Sequence, residues 1–348
     1  MSNEYYAVIL EFSSREIKLG FVGDSSEHTR VTPESPLWKK FVPASKSTST
    51  SPAFLQVDSH AIPVDLKDEL LQSFNCLSPY QDVLSAYEAD RNALKWYDWE
   101  LDEYVTLSII VRVLLSTRLL ISPLKTKIFV IDSEFSAANK ATLCKTFLGM
   151  KTAVTITYLP FSPCCCIGAG VENALVVSLD WSSCKVVPVL DLRSLPAREY
   201  VQFSGESIHY SPAIRHNSKT FEEIESDILS NDTIMEKAFF IENCLPAAIA
   251  GFVKSLDLDS RTCVAENIIF TGVRSHIPGI KGRLLTEIAN FLQGYDVSGK
   301  VCLGAWAGAS LYCSTTLLKI KGSEWKHMEV SKVNLEKNAT GALETYRT

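Results

Sequence analysis

Two acidic residues in this chain each end an apolar run that a short polar turn joins to a second apolar run. Glu11 ends the first such run, SSRE forms its turn, and Lys18 lies in the returning run IKLGFV. Asp180 ends the run ALVVSLD, which returns as KVVPVL. An acid at a strand end can hold a hydrated Mg²⁺, usually through water, and a nearby lysine can balance phosphate charge. These residue types in this pattern predict a site for a metal-bound phosphate ligand.

The elements that position these residues are two β-hairpins of the same plan. Glu11 and Asp180 are separated by about half of the 348 residues, which predicts an internally duplicated protein with two lobes. Two hairpins that face each other across a cleft can clamp the phosphates of ATP. Their turns must then point backbone N–H groups at the phosphate oxygens, and glycine lets the backbone come close enough.

The rest of the chain alternates between strand-like and helix-like segments. Short, mostly apolar runs predict strands, and longer runs with helical spacing of apolar residues predict helices. The predicted strands are 127–132, 153–159 and 267–272, and the predicted helices are 104–120, 136–147, 280–292 and 304–320. This alternation predicts an α/β fold with mixed sheets flanked by helices.

Composition and charge argue against several classes of function. The formal net charge is −6 and no long basic block occurs, so we expect no nucleic-acid partner and no membrane partner. Arg112 and Arg118 interrupt the longest apolar segment, 105–121, which predicts a buried helix and not a membrane span. The ten cysteines include the run 164–166 but no CxxC pair. This pattern is typical of a protein in a reducing compartment, where cysteines pack as small apolar residues. The N-terminus has no basic region ahead of its short apolar run, so we expect a cytoplasmic protein.

The first hairpin carries a motif of a known superfamily. IKLGFVGD matches the actin family's K-x-G-F-A-G-D signature at five positions, which are Lys18, Gly20, Phe21, Gly23 and Asp24. Residues 271–284, TGVRSHIPGIKGRL, resemble the family's adenosine motif, and 233–241 resemble the helix that lends a lysine and a glutamate to the nucleotide. The chain therefore resembles the actin-related proteins, within the superfamily of actin, the heat-shock chaperone ATPases and the sugar kinases.

The resemblance covers most of the chain and implies an actin-like fold. That fold has two lobes, each with a mixed β-sheet flanked by helices, and a cleft between them. The resemblance places residues 1–140 and 312–348 in the smaller lobe and 141–311 in the larger lobe. The chain is shorter than actin between its second hairpin and the adenosine motif, which implies a reduced upper part of the larger lobe.

Two further blocks are similar to the actin-related proteins at the pointed end of dynactin. One comprises 116–133 and 145–163, and the other is LGAWAGAS, 303–310. This similarity implies a non-catalytic structural subunit of a hetero-oligomer, which caps dynactin's actin-like filament and seats the other pointed-end subunits. Such a subunit supports dynein-driven microtubule transport, nuclear migration and spindle positioning, and it belongs to the cytoskeleton in the cytoplasm.

The nucleotide motifs depart from the family's pattern at the residues that bind phosphate and position the attacking water. The first turn, 11–15, lacks both glycines of the family's D-N-G-S-G, and Ala141 stands where the family has its water-positioning glutamine. The turn after Asp180 reads WSSC and has no counterpart of the family's second acid, glycines or histidine. Hydrolysis needs a positioned water and a group that orients it. We therefore expect no ATP hydrolysis and assign no catalytic residue.

Binding of ATP without hydrolysis is a separate expectation. By resemblance, ATP with Mg²⁺ is either a non-hydrolysed structural ligand or absent. The candidate ATP contacts are Ser13, Ser14, Lys18, Asp180, Glu236 and Gly272, and the candidate acids for the metal are Glu11 and Asp180. Met235 and Val273 replace the family's lysine and second glycine. The alternative is that Lys18 and Glu236 are solvated charges that line an empty or collapsed cleft.

Two other functions fit parts of the sequence. A chromatin-remodeller actin-related subunit, which binds a helix of a motor subunit, also loses ATP chemistry, but such proteins carry insertions and this chain is trimmed. An ATPase or sugar kinase of the superfamily needs intact phosphate glycines and a catalytic aspartate. Asp132 and Asp191 lie near strand ends, and we interpret both as solvated acids. Trp96 and Trp99 could form a partner-binding patch, although packing on the smaller lobe's core is favoured.

Overall fold

The structure divides the chain into two compact units. The computed structural model describes residues 5–12, 16–31, 35, 101–133, 135–179, 183–202, 239–240, 244–276, 278–317, 328–332 and 335. Unit 1 contains the described residues up to 161 and those from 309 onward, and unit 2 contains those from 162 to 308. The sequence places these boundaries after 140 and after 311. The first boundary lies at 161 because the strand that precedes it pairs in the sheet of unit 1.

Unit 1 is built on a six-stranded mixed sheet. Its strands are β1 (Tyr6–Phe12), β2 (Ile17–Phe21), β3 (Thr29–Val31), β4 (Thr126–Asp132), β5 (Thr155–Pro160) and β12 (Val330–Ser331). Their order is β12-β5-β4-β1-β2-β3. β1, β4 and β5 are parallel, whereas β2, β3 and β12 join antiparallel. The central strands β1 and β4 are apolar on both faces, as strands covered on both sides require.

The described helices of unit 1 include α1 (Leu101–Thr117) and α2 (Ala137–Gly149). α1 is buried along most of its described length, and the guanidinium of Arg112 donates to the carbonyl of Met150 at 2.7 Å. α2 begins after Ser136, whose hydroxyl accepts from the amide of Asn139 and caps the helix. Among the described residues, no helix combines the length and apolarity that crossing a bilayer would require.

Unit 2 is built on a second mixed sheet. Its strands are β6 (Ala174–Leu179), β7 (Ser183–Leu190), β8 (Arg193–Ser194), β9 (Arg198–Gln202), β10 (Ile268–Thr271) and β11 (Gly299–Lys300). Their order is β11-β10-β6-β7-β8, and β9 also pairs with β7. β6, β10 and β11 are parallel, and β7 joins β6 antiparallel. Every residue of β6 is buried, so this strand is the centre of the unit's core.

Helices flank that sheet. They are α3 (Phe161–Ala169), which begins at the unit boundary, α4 (Leu245–Ser255), α5 (Leu258–Ala265), α6 (Ile280–Phe291) and the first part of α7 (Ala305–Tyr312). α3 and α7 cross closely because glycine stands at the crossing. A Cβ at Gly308 would lie 1.8 Å from the carbonyl oxygen of Cys164, and one at Gly168 would lie 2.6 Å from that of Gly304. The described part of α7 ends in a π-helical turn, Cys313–Leu317.

The two sheets share one plan. In each, an antiparallel hairpin stands beside two parallel strands: β2-β1-β4-β5 in unit 1 and β7-β6-β10-β11 in unit 2. The prediction of two similar hairpins half a chain apart is therefore confirmed. The predicted α/β class with mixed sheets flanked by helices is confirmed as well.

Candidate functional site

The first hairpin brings Glu11 and Lys18 together. β1 and β2 pair antiparallel with Glu11 directly opposite Lys18 and with Phe12 opposite Ile17. Residues directly opposite on an antiparallel pair have side chains on the same face. Glu16 directly precedes β2, and because residues two apart in an extended chain lie on the same face, it lies next to Lys18.

These residues form an ion network. The Lys18 ammonium lies 3.3 Å from the Glu11 carboxylate and 2.8 Å from that of Glu16. The guanidinium of Arg30, on β3, pairs with the second oxygen of Glu16. The side chains of Glu11, Glu16 and Lys18 are only 17 to 19% exposed, whereas Arg30 is 56% exposed. The network is therefore largely withdrawn from water at its centre and open to water at Arg30.

Burial and charge shift the ionisation of its three central members. Burial raises the pKa of Glu11, and Lys18 offsets only part of that effect. Burial acts in the same direction on Glu16, but Lys18 and Arg30 outweigh it and lower the pKa of Glu16. Burial would lower the pKa of Lys18, but Glu11 and Glu16 outweigh it and raise that pKa. Lys18 is thus held in its charged form by the fold's own acids.

This arrangement does not fit a phosphate group. A phosphate needs cations and N–H groups that are not already engaged. Lys18 is engaged by two carboxylates, and it is not a solvated charge either. In addition, Oε2 of Glu11 is buried without a hydrogen-bond partner. An orphaned carboxylate oxygen suits a proton or a cation and repels a phosphate oxygen.

A second ion pair lies at the same edge of the sheet. β1 and β4 are parallel, so both of their carboxyl ends lie there. Asp132, the last residue of β4, accepts from the amide of Phe135 at 2.8 Å and lies 2.5 Å from the ammonium of Lys140 on α2. Its side chain is 13% exposed. The interpretation of Asp132 as a solvated acid is therefore wrong, because α2 returns over the strand end and supplies a counter-ion.

Lys140 also connects this edge to a buried polar pair. Its ammonium lies 5.5 Å from the ring centroid of Tyr158, and the Tyr158 hydroxyl donates to the Lys140 carbonyl at 3.0 Å. The Tyr158 oxygen is 3.4 Å from Cys144 Sγ. Burial raises the pKa of both groups, that of Cys144 to about 11. Both remain neutral at physiological pH, so the cluster is structural.

Sequence reasoning missed the Asp132–Lys140 pair, although a signal for it was present. An acid at a strand end, followed by a capped helix with a lysine one turn inside, often places the two charges together. Ala141, which follows Lys140, has no polar side chain with which to orient a water. Asp191 lies exposed in the turn after β7, in agreement with its interpretation as a solvated acid.

Gly272 directly follows β10 in unit 2. Since β10 and β6 are parallel, with Thr271 beside Ser178, Gly272 lies at the edge where β6 ends. Its φ is 88°, which favours glycine over any residue with a Cβ. The amide and the hydroxyl of Ser275 both donate to its carbonyl, at 3.1 and 2.7 Å. The turn therefore explains the glycine without any ligand.

The remaining candidate residues lie outside the described residues. These are Ser13, Ser14, Asp180 and Glu236, together with Met235, Trp96 and Trp99. Within the described part of the chain, no three His, Cys, Asp or Glu side chains are grouped so that they could hold a metal ion. Of the predicted site residues, the structure thus joins Glu11 with Lys18 and places Gly272 at a strand end in unit 2.

The sequence matches no known protein-family model, and a comparison with curated proteins found no similar one. The resemblance to actin-related proteins therefore depends on the quoted motifs, and the shared plan of the two sheets is an independent structural observation.

Proposed function

We propose that this protein is a non-catalytic, structural actin-related protein with an actin-like fold of two lobes and a cleft between them. The repeated sheet plan supports the fold, because two hairpins in equivalent sheets are what a pair of opposed phosphate clamps is built from. The motif match at Lys18, Gly20, Phe21, Gly23 and Asp24 supports the family.

One observation carries the non-catalytic part of the proposal. The only lysine of the first hairpin is held by Glu11 and Glu16 at 3.3 and 2.8 Å, so its charge serves the hairpin itself. An ATPase of this plan would need that charge for phosphate, glycines in the turn and a group that orients water. Ala141 and the serine-rich turn supply none of these.

The proposed role is to cap the pointed end of dynactin's actin-like filament. An actin-type filament end is an open surface, so a protomer that differs on its outward side can join and then block growth. The protein would form a hetero-oligomer with the filament subunit and the pointed-end subunits, in the cytoplasm, and support dynein-driven transport, nuclear migration and spindle positioning. The blocks at 116–133 and 303–310 support this assignment.

Nucleotide has a secondary place in the proposal. ATP with Mg²⁺ would be a structural ligand, held by Ser13, Ser14, Asp180, Glu236 and Gly272 with little help from Lys18, or it would be absent. The nucleotide content of the purified protein distinguishes a bound structural ATP from an empty site. The protein is denatured in acid, and the supernatant is analysed for adenine nucleotides. Steady release of phosphate from ATP, abolished by Asp180→Ala, would instead indicate an enzyme of the superfamily.

The decisive experiment is purification of the tagged protein from the cells that express it, with mass spectrometry of the co-purifying proteins. An unrelated cytoplasmic protein with the same tag is the control. We expect the filament, shoulder and pointed-end subunits of dynactin. Subunits of a chromatin remodeller would replace the proposal with the remodeller assignment, and a bare monomer would refute both.

A further inference from the structure

The sheet of unit 1 has a second end, opposite the one that carries Glu11 and Asp132. β1, β4 and β5 are parallel, and this is the end at which all three begin. The chain returns to it after α1, through residues 118–125, and again after α2, through residues 150–154. Because β12 runs antiparallel to β5, Lys332, which directly follows β12, lies at the same end.

This end of the sheet exposes large apolar side chains. Four of them are at least 42% exposed, namely Leu120, Leu124, Tyr5 and Tyr6. Tyr6 pairs beside Thr126, two residues after Leu124, so the loop and the start of β1 are neighbours. A cluster of exposed apolar side chains with polar residues around it is typical of a protein interaction site.

The backbone at Leu120 does not explain a leucine at this position. Leu120 is 80% exposed, and its φ is 55°, in the left-handed region that glycine and asparagine adopt most easily at helix ends. Lys151, which follows α2, is exposed as well and has a φ of 56°. Neither side chain packs in the core and neither suits its backbone. Residues held in such conformations indicate a function beyond the fold itself.

The exposed charges around these leucines are all basic. They are Arg118, Lys125, Lys151 and Lys332. Within the described part of the chain none of the four pairs with a carboxylate, whereas nearby Lys127 is already paired with Glu329 at 2.6 Å. Asp24 and Glu27 lie in the turn after β2, on the far side of β1. The half of this end formed by β4, β5 and β12 is therefore basic, in a chain whose net charge is −6. We call the surface made of these four bases and the four apolar side chains the amino edge.

Helix dipoles account for only two of the four bases. Arg118 and Lys151 follow the C-terminal ends of α1 and α2 and complement their negative partial charge. Lys125 and Lys332 follow no α-helix, so their charges are available to an anionic group. A membrane or a nucleic acid would also meet the repulsive field of the whole acidic chain, whereas a short acidic segment would meet the amino edge alone.

We propose that the amino edge binds a short acidic segment of a partner protein. Its carboxylates face the four bases, and its apolar side chains cover Leu120 and Leu124. Charge complementarity then provides specificity and fast association, and burial of the apolar side chains provides affinity. The inference depends on this edge alone and holds whichever complex the protein joins.

The test starts with the full chain carrying a photo-crosslinking amino acid at position 124. Leu311, which is 51% exposed on α7, is the control position. After irradiation in the expressing cells, mass spectrometry identifies the crosslinked residues. We expect a segment of another protein that is rich in aspartate and glutamate and contains apolar residues. A yield no higher than at 311, a segment without excess acids, or a segment of this same chain would overturn the proposal.

Binding is then measured with a synthetic peptide of the crosslinked segment. The double variant Lys125→Glu/Lys151→Glu should bind it at least about tenfold more weakly, and a peptide with lysines in place of its acids should restore binding to this variant. Lys281→Glu/Lys300→Glu is the matched control, because it changes the net charge equally at two exposed lysines of unit 2. Equal weakening by both double variants would refute a site at the amino edge. Flotation of the protein with vesicles of phosphatidylcholine and phosphatidylserine, lost in Lys125→Glu/Lys151→Glu, would assign the edge to a membrane and overturn the proposal as well.

Leu120→Asn separates the role of this side chain in binding from its role in the fold. Asparagine tolerates a positive φ, so the unfolding temperature of the variant should be no lower than that of the wild type. Its binding of the peptide should be weaker by at least about threefold, because an apolar contact is lost. Unchanged binding would contradict the proposed contact.

Discussion

Lys18 lies directly opposite Glu11 across the first hairpin, and Glu16 holds its ammonium from the other side at 2.8 Å. The basic residue that the family motif assigns to a ligand is thus part of the hairpin's own charge balance. Removing Lys18 would leave two partly buried carboxylates uncompensated, so the hairpin depends on this lysine whether or not a ligand binds.

Replacement of Lys18 by methionine should therefore destabilise unit 1 markedly. We expect a loss of about 2–3 kcal/mol in the free energy of unfolding, since two largely buried carboxylates lose their shared counter-ion. Arg30→Met is the matched control, because Arg30 binds the same Glu16 but is 56% exposed, and it should cost at most about 1 kcal/mol. Urea denaturation at neutral pH measures both. Equal losses would contradict the buried character of the Lys18 site.

The raised pKa of Glu11 predicts a pH-dependent effect of Glu11→Gln. Native Glu11 binds its proton more tightly than unfolded Glu11 does, so its contribution to stability is present below the unfolded value of 4.5 and is lost as pH rises through its folded pKa. The variant lacks this loss. The free energy of unfolding of the variant minus that of the wild type should therefore rise as the pH rises above 4.5 and then level off. Urea denaturation at a series of pH values measures this difference.

Glu16→Gln should show the opposite sign in the same experiment. The pKa of Glu16 is lowered, so its contribution is complete above 4.5 and is lost as pH falls through its folded pKa. The variant should be less stable than the wild type at neutral pH, and this deficit should shrink on acidification. If the stability differences of Glu11→Gln and Glu16→Gln changed with pH in the same direction, the two carboxylates would not differ in environment.

The crossing of α3 and α7 predicts a large effect of one methyl group. Gly308→Ala would place a Cβ 1.8 Å from the carbonyl oxygen of Cys164, and backbone cannot move aside cheaply, so we expect a loss of about 2–3 kcal/mol. Gly251→Ala is the control, because nothing lies within 4 Å of its added Cβ within α4. It should stabilise the protein by about 0.5–1 kcal/mol through helix propensity. Thermal unfolding compares the two, and a neutral Gly308→Ala would mean that the helices are further apart.

The described cysteines should differ sharply in reactivity. Burial raises the pKa of Cys144 to about 11, that of Cys313 to about 12 and, with Cys302 nearby, that of Cys166 to about 12, so their thiolates are scarce at pH near 8. Cys244 is exposed. Brief treatment with a thiol reagent at that pH should modify Cys244 and leave these three intact until the protein unfolds. Peptide mass spectrometry reads the sites, and Cys244→Ser should remove the early product.

Much of the sheet framework could be predicted from local patterns. The strands 127–132, 153–159 and 267–272 and the two hairpins were found within a few residues, because each is an apolar run between clear turn signals. The predicted helix 136–147 matches α2, and the structure shows that Ser136 is its N-cap. Such signals are contained in neighbouring residues and need no knowledge of tertiary contacts.

The helices α3, α4 and α5 were not predicted, for reasons of composition and length. α3 contains the cysteine run 164–166 and is buried on most sides, so it shows little polar periodicity. Only two residues separate α4 from α5, and this short break obscures the helical spacing of apolar residues in both. Whether such segments form helices is determined by tertiary packing.

The sequence predicts the residue types of the site better than it predicts which of these residues contact each other. The pairing of Glu11 with Lys18 follows from a four-residue turn and could be read from the sequence. Spacing places Glu16 and Lys18 on one face of the chain and Lys140 near the strand end that carries Asp132. Whether these charges contact each other depends on side-chain directions, which spacing does not fix. The positive φ of Gly272 was equally hidden, since a retained glycine serves a turn and a ligand alike.

The strand order of unit 1 also determines when its sheet can be completed during synthesis. β1 is made before β4, with which it pairs and which follows more than a hundred residues later, and among the described residues β12 is the strand that closes the outer side of β5. On the ribosome, the edge of β5 therefore stays open while all of unit 2 emerges and folds. Hairpin β6–β7 needs only local contacts and can form during that interval. The nascent chain should accordingly depend on chaperones that shield strand edges until β12 has left the exit tunnel.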